Sequence, residues 1–406
     1  MSMLLKISWR NIWRQKKRSL IVMSSIVVGT AAVLMMDSFS MGFVYQQLNN
    51  QISSHVGHFQ INSKGYNANK VIKNRIKHPS EIEKKLKKLN FVQAYSRRVL
   101  AFGMLSSAEG STGITMVGID ADNEAKITSI KSQIIKGQYI GNNPRDIIIS
   151  SAVAKKLNVD IDGKIVMMAA STSGKVQSEL FRVKGIFKTN NSSFDKTHIF
   201  IPIHTAQKLL NIGQDITQFV VLTDNLDKID LYKNKLNQVI DDKYEVLSYK
   251  DILPLLVFYI ELSIEMMALM YVIIGIAILF GIINTMLMSV FERIQEFGVL
   301  MSIGMKSRQI FIMVLQEAFI LGVLGTIAGF IVGYIIYLYF AVNGMDLSAF
   351  SDSLVSFGVG SVIYPQIDVN VMYRALFIIP LTTVVGAVYP ALKAIRLQPT
   401  DAMRYI

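Results

Sequence analysis

The chain has 406 residues, 51% of them hydrophobic, a mean hydropathy of +0.38 and no cysteine. So apolar a composition points to a membrane protein, and the missing cysteines exclude disulfides, thiolate metal sites and cysteine nucleophiles. The formal net charge of +13 leaves nucleic acid or an anionic surface open as partners until its location is known.

Residues 1–18 are basic, with Lys6, Arg10, Arg14, Lys16, Lys17 and Arg18. A hydrocarbon core about 30 Å thick needs roughly 20 apolar residues of helix. The run from Ser19 through Met36, continued amphipathically to Leu48, meets that need. It is too long for a signal-peptide core and lacks a small-residue cleavage site, so it reads as a retained first span, 19–46. Phe39, Met41 and Phe43 at its outer end are candidates for lipid contact.

Residues 47–255 form a large polar region. His55–Asn62 reads as a strand, Pro79–Leu89 as an amphipathic helix with Ser80 as N-cap, and Phe91–Val99 as a strand. The order repeats near the far end: strand Thr217–Thr223, helix Leu226–Ile240, strand Tyr244–Tyr249. Two such β-α-β units pair into one α+β subdomain, 47–111 plus 213–255. A second subdomain, 112–212, is then inserted into it. Its predicted strands are Gly113–Ile119, Asp146–Ser150, Lys164–Ala170, Leu180–Phe187 and His198–Pro202, with helices at Ser151–Leu157 and His204–Leu210.

Three more spans follow, at 266–290, 310–342 and 375–392. The loop 291–309, FERIQEFGVLMSIGMKSRQ, places Glu292 and Glu296 at i, i+4 spacing on a short helix between two spans. A helix so placed can be pushed from outside the membrane and can pass the push to both spans. Glu317, seven residues into the third span, is costly there and by default functional, unless it pairs with Arg308 or Lys306. Gly325, Gly329 and Gly333 make two GxxxG steps that let another helix approach. Asn284 in the second span is expected to hydrogen-bond to a neighbouring span, and Pro380 and Pro390 to bend or end the fourth.

Short-loop charge sets the orientation. The N-terminal flank, the 291–309 loop (Arg293, Lys306, Arg308) and the tail 393–406 (Lys393, Arg396, Arg404) are basic, whereas 343–374 contains one arginine, Arg374, at the edge of the fourth span, and Asp346, Asp352 and Asp368. Both termini are therefore expected in the cytoplasm and the 47–255 domain outside. That domain carries 29 Lys and Arg against 19 Asp and Glu; so displayed, its charge reads as a solvated surface or one for anionic headgroups or an acidic partner, not nucleic acid.

Catalytic signatures are missing. No GxxxxGK[ST] occurs; the nearest string, Ser171–Val176, lacks the first glycine and the hydroxyl after the lysine. There is no HExxH or GxSxG, and His55 and His58, three apart on a strand, fall on opposite faces. No catalytic residue and no metal site is expected, so this chain is not itself an ATPase.

The loop motif ERIQEFGVLMSIGMKSRQI, its continuation FIMVLQEAFILGVLGTIAGFIVG and the tail YPALKAIRLQPTDAMRYI resemble the FtsX/MacB-like ABC transporter permeases of the mechanotransmission class. Within it, SMGFVYQQLNNQISSHVGHFQI, MVGIDADNEAKITSIKSQIIKGQY, IIISSAVAKKLNVDIDGKI and VKGIFKTNNSSFDKTHIFIP are most similar to lipoprotein-releasing LolC/LolE-type permeases. The resemblance implies four spans with a MacB-like periplasmic core between the first and second. It implies a cytoplasmic ATPase dimer that binds ATP and Mg, a second permease subunit, a bacterial inner-membrane location, a lipoprotein substrate and a periplasmic lipoprotein chaperone. The ATPase would push the helix around Glu292, Arg293, Glu296, Gly298 and Gly304. The alternatives it leaves are an FtsX-like regulator of cell-wall hydrolases and a MacB-like efflux permease. One departure concerns the chaperone: the LolC-type docking hairpin is long and contains proline, whereas Ala170–Leu180 here is short and has none.

Overall fold

The computed structural model describes residues 3–14, 16–141, 143–367 and 369–395; the tail residues Arg396 and Arg404 and the loop residue Asp368 fall outside them. In chain order the helices are α1 (Met3–Arg14), α2 (Lys16–Gln51), α3 (Pro79–Leu86), α4 (Ala121–Glu124), α5 (Ser151–Leu157), α6 (Ser192–Asp195), α7 (Ile203–Leu210), α8 (Ile229–Val239), α9 (Tyr249–Ile252), α10 (Pro254–Glu292), α11 (Ile294–Ser302), α12 (Ser307–Asn343), α13 (Ser351–Ser356) and α14 (Val369–Ile395). The strands are β1 (Phe59–Ser63), β2 (Val92–Ser106), β3 (Ser111–Ile119), β4 (Ile134–Gly137), β5 (Asp146–Ser150), β6 (Lys164–Ala170), β7 (Val176–Phe187), β8 (His198–Pro202), β9 (Gln218–Thr223) and β10 (Tyr244–Ser248). Two compact units result: Tyr45–Phe258 with Leu347–Ser361, and the remainder.

In the first unit the two β-α-β repeats interleave. Strand order β10-β1-β9-β2 is antiparallel throughout, and α3 and α8 supply Ile82, Leu86, Ile229, Tyr232 and Leu236 to its core. The inserted part is a closed ring. β2 pairs with β3, β3 with β8, β8 with β5, β5 with β7, β7 with β6, and β6 again with β2. Alternation fixes the layers: Ile147, Ile149, Ile199 and Ile201 join one core, while Ile148 and Phe200 join a second beneath Phe187 and Phe194.

Several expected boundaries move. β2 runs 15 residues and serves both subdomains, so the expected division at 111/112 cuts the β2–β3 hairpin. His55 lies in a single π-helical turn, Ile52–Val56, that extends α2; the predicted strand starts only at Phe59. The N-cap of α3 is His78, with Pro79 in the first turn, because proline's missing N–H is harmless there. β4 was not predicted. Elsewhere local chemistry wins: Ser150 Oγ accepts from Val153 N–H (3.1 Å) to start α5, as expected, and Asn158 closes it in the left-handed region.

Two half-buried histidines tie this unit to pH. His58 Nδ1 accepts from Thr223 N–H (3.0 Å), and His198 stacks on Phe194 at 4.3 Å. Burial pushes each imidazole from 6.5 down to about 4. The fold thus favours the neutral ring, so this stabilisation is complete above pH 6.5 and is lost as pH falls toward 4. The thermal midpoint should drop across that window, and His58→Gln should flatten the slope; a midpoint unchanged from pH 6.5 to 4 would remove the histidines from the account.

Among the described residues, α2, α10, α12 and α14 contain the four stretches apolar and long enough to span a bilayer. α14 continues through both Pro380 and Pro390. Asn284, expected to hydrogen-bond to a neighbouring span, lies on the exposed face of α10. A carboxylate the sequence reading passed over, Asp37, is buried and accepts a hydrogen bond from the Tyr271 hydroxyl.

Candidate functional site

Only Arg293 separates α10 from α11, so the chain turns within one residue. The return into α12 passes Gly304 at φ +97°, a backbone region that L side chains rarely adopt. Ile294, Phe297 and Gly298, spaced i, i+3, i+4, form the buried face of α11. Phe297 shares a core with Ile310, Met313 and Val314 of α12.

The charges then fall into a connected set. Arg293 is buried, and its Nη1 donates to both oxygens of Glu317 (3.0 and 2.8 Å). Its Nε donates to Glu296 Oε2 (3.2 Å), and the guanidinium lies 5.0 Å over the Phe297 ring. Asn11 Nδ2 donates to Glu317 Oε1 at 2.8 Å. Glu317 is thus neither free nor paired with Lys306 or Arg308. It lies nine residues, about 13 Å of helix, beyond Arg308, too far along the same helix for either to reach.

Glu296 also pairs with Arg14, and Glu292 with Arg18, each glutamate side chain remaining about two-fifths exposed. Glu292 ends α10 and so does not share the short helix with Glu296 as expected, and both acidic residues are bound to arginines of their own N-terminal segment. α1 itself docks by Ser8 Oγ donating to the Met313 carbonyl (3.2 Å) and by buried Ile12. From charge alone, 1–18 reads only as a marker of orientation. The signal for a helix was present: Lys6, Arg10 and Arg14 recur every four residues opposite Ser8 and Ile12.

The glycines are a contact seam. A Cβ on Gly325 would come within 2.8 Å of Ile26, on Gly329 within 2.6 Å of Thr30 and on Gly333 within 2.9 Å of Leu34, all on α2. Phe39, Met41 and Phe43 are half-buried, and Phe39 packs edge-on against Phe340 at 5.6 Å, so that ring is partly committed to α12.

Comparison with known proteins agrees with this organisation. The FtsX-like permease C-terminal family matches residues 267–399, and the MacB-like periplasmic core domain matches residues 19–239. The chain is 26% identical over 410 residues to the macrolide export ATP-binding/permease protein MacB of Campylobacter fetus, covering 96% of this chain but 58% of that protein. It is 23% identical to the uncharacterized ABC transporter permease YvrN of Bacillus subtilis, covering 99% of both. It is 22% identical to the lipoprotein-releasing system transmembrane protein LolC of Buchnera aphidicola over 82% of each. With four candidate spans among the described residues, an α+β domain that matches the MacB-like core and a C-terminal third that matches the FtsX-like permeases, the chain belongs to the FtsX/MacB-like family of ABC transporter permeases.

Proposed function

We propose that this permease converts ATP hydrolysis on a separate cytoplasmic ATPase dimer into movement of the 47–255 domain, and that its cargo is a lipoprotein drawn from the outer leaflet of the bacterial inner membrane. The observation that carries the mechanical half is the clamped position of α11. Arg293 at its N-terminus binds Glu317 of α12, its own Glu296 binds Arg14 of α1, and Glu292, at the adjoining end of α10, binds Arg18 of α2. A push on α11 therefore loads three helices together. The broad exposed apolar face of α10, with Leu269, Val272, Ile273 and Ile276, suits lipid or a second permease subunit. The lipoprotein half rests on the LolC relatives and on the segment resemblances. The long match to MacB favours a second reading, an efflux permease.

The complex purified without ATP should retain a lipid-anchored protein, released on ATP addition; retention of an efflux adaptor or a cell-wall hydrolase instead would rule the lipoprotein reading out. The mechanical half has its own test. Glu296→Arg should lower transport per ATP hydrolysed about tenfold or more. If the pair with Arg14 is what matters, Arg14→Glu combined with Glu296→Arg restores it. Failure of the swap, with the protein folded, would assign Glu296 to the ATPase surface instead.

A further inference from the structure

The two halves of β2 have different neighbours. From Arg98 onward β3 lies along one side, but from Val92 to Arg97 the strand pairs only with β9. The Arg98 carbonyl accepts from Thr217 N–H (3.0 Å) on the β9 side. In an antiparallel strand successive residues turn their amides to opposite sides, so Tyr95 and Arg97 face away from β9; Arg97 there stands opposite Asp120, the residue after β3, whereas Tyr95 faces a side that no strand occupies among the described residues. This half-edge is an interruption within the sheet, not its end.

That side opens on a recess of about 300 Å³ between the end of α3 and α4. Lys87 stands on one bank, Asn123 and Lys126 on the other, with Gln93 and Tyr95 along the strand. Both lysines are exposed. The nearby acids do not cancel them. Glu83 is occupied by Arg97 and by the Tyr95 hydroxyl (3.1 Å), and Asp122, exposed on α4, does not line the recess. A strand edge bracketed by two helices is the geometry that accepts an added strand, with main-chain bonds giving affinity and flanking side chains giving selectivity.

We propose that this half-edge binds an extended acidic peptide segment of a partner protein as an additional strand beside β2. Its backbone bonds to the N–H and C=O of Tyr95, and its acidic side chains face Lys87 and Lys126. The inference is independent of the cargo, since it needs only an edge, a recess and two cations.

The test uses the full-length protein in lipid nanodiscs and labelled heptapeptides with Asp or Glu fixed at alternate positions and the others varied, read by fluorescence anisotropy. Saturable binding is expected. N-methylation of the bound peptide's alternate amides leaves its charge intact and should weaken it about tenfold or more, as loss of both backbone hydrogen bonds requires. Lys87→Glu with Lys126→Glu should switch preference to lysine-bearing peptides, which also shows that the variant is folded. The chain has no cysteine, so Gln93→Cys should form a disulfide with bound cysteine-bearing peptide and not with a second copy of the chain. No binding by any peptide at about 1 mM, indifference to N-methylation, unchanged acidic preference in the folded reversal variant, or self-crosslinking of Gln93→Cys without peptide would each overturn the proposal.

Discussion

Arg293→Ala is expected to destabilise the second unit by about 3–5 kcal/mol, the range for removing one partner of a buried ion pair. The cost arises less from the lost attraction than from what remains. Glu317 would keep its burial and the single bond from Asn11, with no cation to offset its charge. Replacing both partners with apolar residues, Arg293→Met with Glu317→Leu, should recover most of that stability, because two desolvation costs vanish together. Transport should not recover, since the apolar pair no longer fixes α11 to α12 by direction. Thermal melting of the detergent-solubilised protein and ATP-driven transport separate the two effects. If the single variant melts with the parent, the ion pair is not structural.

Gly329→Leu should be the second large loss. A side chain there meets Thr30 and the Val27 carbonyl 2.9 Å away. The obstruction is backbone, which cannot rotate aside. Overpacking of this kind costs typically about 1–3 kcal/mol, and here it also forces α2 off α12. Gly275→Leu is the matched control: nothing lies within 4 Å of a Cβ at that position, so the same added bulk should be nearly neutral. Cysteines introduced at Ile26 and Gly325 should crosslink in the parent background and fail to crosslink when Gly329→Leu is present. Efficient crosslinking in the variant would show that the seam tolerates bulk.

These two cases mark what was readable in the residues. The GxxxG steps announce close approach by themselves, because absent side chains leave a groove wherever the partner lies. Strands such as Asp146–Ser150 and Lys164–Ala170 were readable to the residue, since short continuous apolar runs are bounded by turn chemistry at both ends. The partner of Glu317 was not readable. Arg293 is 24 positions away, and only the one-residue turn between α10 and α11 brings it inward. The ring closure was equally hidden: β6 meets β2 across some sixty residues, and no local pattern encodes that pairing. The length of β2 was missed because its second half, Leu100–Ser106, has no polar–apolar alternation and is interrupted by Gly103.

The ring has a mechanical corollary. An open sheet peels from its margin, one ladder at a time. Each of the six strands here is flanked twice, so tugging any one loads two ladders in parallel, and the body yields whole or not at all. For a domain that would be stroked repeatedly under the proposed mechanism, closure is resistance to fatigue.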